Sequence, residues 1–227
     1  MKLILATAAA AALLAGTASA TTYVLDFTGS GAVPDDFGDN TEVDLSYRGF
    51  VASGWGPGQA DSGSVKFWTT GYGDLPGAAW VSPKGARGEI RIEATTATDT
   101  VSVDSFQTAG LRGDQLLQWY VYDLAGNLLG FEDNGTAPNP GNVTVMPGLS
   151  AEGGVIFQWG EDAWDVGIQN FTFTVGAPSN PATAVTQSNA NPTPAPRPPA
   201  IPVPAAAPLL LTGAALLGAM QLRRRRG

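Results

Sequence analysis

The sequence predicts an all-β domain over residues 21–176, a two-sheet antiparallel jelly-roll sandwich flanked by an N-terminal signal helix and a C-terminal transmembrane helix. Three observations predict it. Between the two ends, apolar residues recur at every second position in short runs, the period of a half-buried strand. Gly, Asp, Asn and Thr separate those runs as turns between antiparallel strands require. No stretch outside the two ends has a helical period.

The strands follow in order. Tyr23-Val24-Leu25-Asp26-Phe27 places Tyr23, Leu25 and Phe27 on one face. Val65 to Thr69 and Glu89 to Glu93 repeat the alternation, and Thr100 to Phe106 shows it without a fault. Leu117 to Tyr122 leads through Asp123-Leu124-Ala125-Gly126-Asn127 into Leu128 to Phe131. This reads as a hairpin with Gly126 and Asn127 at positive φ. Asn142 to Met146, Val155 to Trp159 and Val166 to Val175 complete a set of about ten or eleven strands, enough for two packed sheets.

The ends carry an address. Residues 1–20 read as a signal peptide: Lys2 is followed by an apolar core from Leu3 to Leu14, and Ala18-Ser19-Ala20 supplies the small residues at Ala18 and Ala20 that signal peptidase reads. Residues 177–202 are rich in Pro, Ala, Asn and Thr with Arg197 as the only charge, so they cannot bury enough apolar surface to order themselves and form a disordered linker. Residues 203–227 begin Val203-Pro204-Ala205, continue as a charge-free apolar run over 205–222 and end in Arg223, Arg224, Arg225 and Arg226. The run is 18 residues, within the roughly 17–25 that span a bilayer as a helix with its backbone bonds closed internally. The arginines stay on the cytoplasmic side, which puts the domain outside.

Val203, Pro204 and Ala205, preceded by Ile201 and Pro202 and followed by the apolar run and the Arg block, resemble the PEP-CTERM class of Gram-negative sorting signals in its VPLPA-CTERM variant. The resemblance implies export by Sec, anchoring in the inner membrane, and processing by an exosortase that passes the protein to the cell surface or an exopolysaccharide matrix. A plain single-pass C-terminal anchor would use the same residues. A second resemblance lies in Trp164-Asp165-Val166-Gly167-Ile168-Gln169-Asn170-Phe171-Thr172-Phe173, which is similar to the closing strand of galactose-binding-like jelly rolls, as Leu25-Asp26-Phe27 is to their first. It implies that the first and last strands are neighbours. Many such domains hold a structural calcium between them with an acidic residue after the first-strand Phe and an Asp in the last strand; Thr28 and Gln169 stand in those places here.

Composition excludes whole classes of chemistry. Without the terminal segments seven basic residues face 20 acidic ones, a net charge of about −13. Nucleic acid, which needs clustered Lys and Arg against its phosphates, is excluded as a partner. Cysteine and histidine are both absent, which removes disulfides, thiol chemistry and the Ser-His-Asp triad. Paired carboxylates suffice for glycoside hydrolysis, but no two are marked out by context, and Glu89, Glu93 and Asp104 read as outward-facing strand positions. No catalytic residue is therefore assigned.

Two kinds of binding chemistry remain. In Pro34-Asp35-Asp36-Phe37-Gly38-Asp39-Asn40, the carboxylates of Asp35, Asp36 and Asp39 are candidate ligands for calcium, a hard cation that takes oxygen donors from irregular loops. The spacing is not that of an EF-hand loop, and a solvated acidic turn uses the same residues; otherwise no cofactor is expected. Of six tryptophans, Trp119 and Trp159 fall within alternating strands and belong to the core. Trp55, in a Gly-rich loop, and Trp164, beside Asp162 and Asp165, are the candidates for stacking on a sugar ring. The expectation is an exported, non-catalytic surface or matrix protein of structural or adhesive role. The alternative is a carbohydrate-binding module, and behind it a glycan-active enzyme. The expected mature protein, recovered from its host and weighed intact, is exported and begins at Thr21; a cytosolic form retaining both Met1 and Gly227 contradicts the address.

Overall fold

A computed structural model describes residues 20–51 and 54–176. The signal peptide before Ala20, the linker, the Val203-Pro204-Ala205 motif, the 205–222 run and the Arg cluster lie outside the described residues. Among the described residues there is no helix. The described residues form thirteen strands: β1 (Thr21–Leu25), β2 (Gly31–Ala32), β3 (Val43–Phe50), β4 (Ser64–Trp68), β5 (Ala78–Ser82), β6 (Arg87–Ala94), β7 (Thr100–Gly110), β8 (Gln115–Asp123), β9 (Leu128–Ala137), β10 (Val143–Val145), β11 (Leu149–Glu152), β12 (Gly154–Trp159) and β13 (Val166–Gly176). The strands form an antiparallel two-sheet jelly-roll sandwich, as the alternating pattern predicted. The count exceeds the expected ten or eleven because β2 and β11 are too short to show a period, and β5 is buried at four of five positions. In β3 the alternation Val43, Leu45, Tyr47 was present and unread.

One sheet, here sheet A, runs β10-β7-β13-β5-β4-β2, with β1 also on β13 and β11 also on β7; sheet B runs β3-β6-β12-β8-β9. The last strand β13 serves two partners on one side, pairing Ile168 with Ala79 of β5 and Phe171 to Val175 with β1. The change of partner falls at an irregularity in its register with β7 between Gln169 and Thr172. Asn170 there has φ 47°, a left-handed conformation that asparagine tolerates better than most side chains and that a bulge uses to bend a strand. β1 and β13 are thus neighbours, as the jelly-roll resemblance implied.

The sheets meet through aromatic rings. Phe106 of β7 lies 5.0 Å from Phe157 of β12 and 6.5 Å from Trp119 of β8, and Phe171 of β13 lies 4.9 Å from Phe157. Phe106, Phe157, Phe171 and Trp159 are fully buried, and each such ring removes about 150–250 Å² from water. Trp119 and Trp159 are core residues, as expected. The Trp159 ring crosses Gly88, its partner in register on β6; a Cβ at Gly88 would overlap that ring. Gly88 is needed here for space.

The 123–127 hairpin forms with Gly126 at φ 89°. Asn127 has no positive φ; its backbone N–H and side-chain Nδ2 instead donate to the Asp123 carboxylate at 2.8 and 2.7 Å, which holds that carboxyl below its usual pKa. Replacing Gly88→Ala is expected to lower unfolding stability by about 1–3 kcal/mol through overpacking, measured by urea denaturation; an unchanged midpoint would show that the Trp159 slot has slack.

Candidate functional site

The outward face of sheet B follows from strand alternation. On β8, Leu117, Trp119 and Val121 enter the core, so Gln118, Tyr120 and Tyr122 face away from it. The same rule turns Arg48 of β3, Glu89 of β6 and Gln158 of β12 outward. Register then sets Arg48 opposite Glu89, Glu89 opposite Gln158, Gln158 opposite Tyr120 and Tyr120 opposite Phe131. Each of the five strands contributes one side chain to a single row.

Half of the row is ionic and closed. Glu89 is only 3% exposed, and a carboxylate so far from water needs compensating partners. Arg48 donates from Nε to Oε1 at 2.5 Å and from Nη2 to Oε2 at 2.8 Å, and Gln158 Nε2 donates to Oε2 at 2.6 Å. The bond to Glu89 raises the Arg48 pKa above its ordinary value. Remaining groups hold the loop above: Gln158 Oε1 accepts from Gly56 N at 3.0 Å, Arg87 Nη1 donates to the Gly54 carbonyl at 2.9 Å, and Arg48 Nη1 donates to the Gln59 carbonyl. The segment 54–61 is a strap tied down by the side chains it covers. This corrects the expectation for Glu89, which faces away from the core but lies buried beneath the strap.

The other half is aromatic and open. Trp55 on the strap stacks on Tyr120 at 4.3 Å and 24°, and Tyr120 stacks on Phe131 at 5.3 Å and 11°. Arg87 stands over the Trp55 ring at 4.6 Å. Phe131, on the edge strand β9, is 37% exposed, and Leu128 beside it on the same strand 48%. Tyr120 donates its hydroxyl to Asp133 Oδ1. Burial, reinforced by that bond, pushes the Tyr120 pKa well above its ordinary value, and burial pushes Tyr122 up to about 12. Both phenols are neutral donors near neutral pH.

The other predicted residues lie elsewhere. Trp164 is not brought to Trp55: it packs at 4.6 Å and 90° on Trp80 of β5, in a satellite cluster with Tyr72 and Leu75. Asp35 and Asp36 are exposed in a tight turn, and Asp39 Oδ1 accepts from Leu45 N at 2.6 Å. Among the described residues no group of three or more Asp, Glu, His or Cys side chains is placed to hold a metal ion. At the junction of the first and last strands, Gln169 accepts from Phe27 N at 3.0 Å and donates to Asp26 Oδ1 at 2.5 Å. Its amide joins the segment after the first strand to the last strand. Thr28 beside it is exposed.

Tyr120, Phe131, Arg48 and Gln158 were missed as site residues. Tyr120 was within reach, since Trp119 in the core forces its neighbour outward; nothing local links Arg48 to Gln158.

No protein-family model matches the sequence, and no curated protein matches it. Among solved structures, a family 29 carbohydrate-binding module complexed with mannohexaose has a TM-score of 0.37 at 13% identity, over 69% of this chain and 92% of that one. A family 27 module of Caldicellulosiruptor saccharolyticus, also with mannohexaose, has a TM-score of 0.34 at 13% identity, over 67% of this chain and 96% of that one. Likenesses this distant carry no information about ligand or site.

Replacing Glu89→Ala leaves Arg48 and Gln158 without their shared acceptor. It is expected to cost about 3 kcal/mol and to free the strap, read as a red shift of tryptophan emission before global unfolding; unshifted emission would show that the strap is held without Glu89.

Proposed function

We propose that this chain is an exported, non-catalytic carbohydrate-binding protein whose sugar platform is formed by Trp55, Tyr120 and Phe131. The observation that carries the reading is the ring ladder on the outward face of sheet B, which reaches solvent at Phe131. Pyranose rings present apolar C–H faces that settle on aromatic surface, while hydroxyls seek fixed acceptors and donors beside it. Asp133, which accepts from the Tyr120 hydroxyl, flanks the ladder on β9.

The non-catalytic part of the reading rests on Glu89. A glycosidase needs two carboxyl groups facing the scissile bond, and Glu89 is engaged by Arg48 and Gln158 beneath a strap that keeps substrate away. In this reading the signal peptide and the C-terminal segment deliver the domain through Sec, the inner membrane and an exosortase-type enzyme to a surface or matrix rich in polysaccharide. Binding there gives the adhesive role a mechanism.

Affinity electrophoresis of residues 21–176 through gels containing a panel of soluble polysaccharides, mannan among them, tests the proposal. At least one polysaccharide is expected to retard the protein. Trp55→Ala and Phe131→Ala are each expected to weaken that retention about tenfold, equivalent to about 1.4 kcal/mol, with an unchanged melting temperature. Equal retention in both variants, or none for the unaltered domain across the panel, would overturn it.

A further inference from the structure

Trp80 of β5 forms the floor of a recess of about 90 Å³ whose other walls are Trp68, Trp164, Tyr72 and Leu111. Trp68 and Trp164 both stand upright on that floor, at 85° and 5.6 Å and at 90° and 4.6 Å from Trp80. The floor and Tyr72 are buried, and Trp68 is 42% exposed at the mouth. Two polar atoms of the walls are turned away: Trp80 Nε1 donates to the Phe67 carbonyl at 3.3 Å, and the Tyr72 hydroxyl donates to the Trp164 carbonyl at 2.5 Å. What faces the recess is ring carbon and π-cloud.

An ammonium already stands over the floor ring. Lys66, directly opposite Trp80 in register, holds its Nζ 5.6 Å from the centroid of the Trp80 ring. The charges nearby are otherwise engaged: Lys84 pairs with Asp165 at 3.0 Å, and Asp162 accepts from Gly85 N and Trp164 N. Sugar hydroxyls would find few partners inside. A trimethylammonium group needs no hydrogen bond, matches the recess in size, and is attracted by aromatic faces arranged at right angles around it.

We propose that this recess binds a quaternary-ammonium group of the choline or betaine class, with the Lys66 ammonium as its intramolecular competitor. The site is separate from the Trp55 ladder and does not rest on the carbohydrate reading. Removing Lys66 therefore strengthens binding, the opposite of what a lysine that bonds a sugar or phosphate would show.

The test is a tryptophan-fluorescence titration of residues 21–176 with choline chloride, beside its uncharged isostere in which a tert-butyl group replaces trimethylammonium. Saturable binding of choline and about tenfold weaker binding of the isostere are expected. Trp68→Ala is expected to weaken choline binding about tenfold without altering the melting temperature or polysaccharide retention, and Lys66→Gln to tighten it severalfold. Equal affinity for the isostere, weaker binding in Lys66→Gln, or no saturable signal would overturn the proposal. Co-sedimentation with phosphatidylcholine vesicles that choline competes away would assign the group to a lipid headgroup; choline binding without co-sedimentation would assign it to a free small cation.

Discussion

The contact between Phe106, Phe157 and Phe171 is the constraint on which everything else in the domain rests. With no cysteine to staple it, the sandwich is held by the burial of rings where sheet A faces sheet B, and protein interiors tolerate little slack in such packing. Once those inward positions are filled, the period of a strand leaves no choice about which residues look outward. The row from Arg48 to Phe131 is the reverse side of the core.

That reverse side divides its labour by chemistry. At one end a buried carboxylate, an amide and two guanidinium groups fasten a loop; at the other, rings stack toward an open edge. The ionic end fixes Trp55, which rides on the loop, and so under the proposed function offers an aromatic surface already ordered for its ligand. Preorganisation of this kind reduces the ordering cost that binding otherwise carries. A buried ion pair is weak evidence of net stabilisation, since desolvation offsets much of its attraction, and the Arg48–Glu89 pair matters here for what it positions.

Much of this was legible in the sequence, and unevenly so. Strands with a clean period, such as Thr100 to Phe106, announced themselves, as did the core placement of Trp119 and Trp159, because alternation is a local signal. β5 was silent, since a strand buried on both faces loses its period, and Glu89 read as outward-facing, which it is, without any sign of its burial. What buries Glu89 is a loop far along the chain from Gln158, and no window of neighbouring residues contains that relation. Trp55 was singled out for standing in a Gly-rich loop; its stacking on Tyr120 depends on pairing between strands distant in sequence. Trp164 was noticed alone, and its partners Trp80 and Trp68 came to it through the fold.

Gln169 fastens the first strand to the last with a neutral amide, joined on one side to the Phe27 backbone and on the other to the Asp26 carboxylate. A clasp made of the chain's own atoms travels with it. Because both bonds come from one side chain, the seam between the first and last strands opens or closes as a unit.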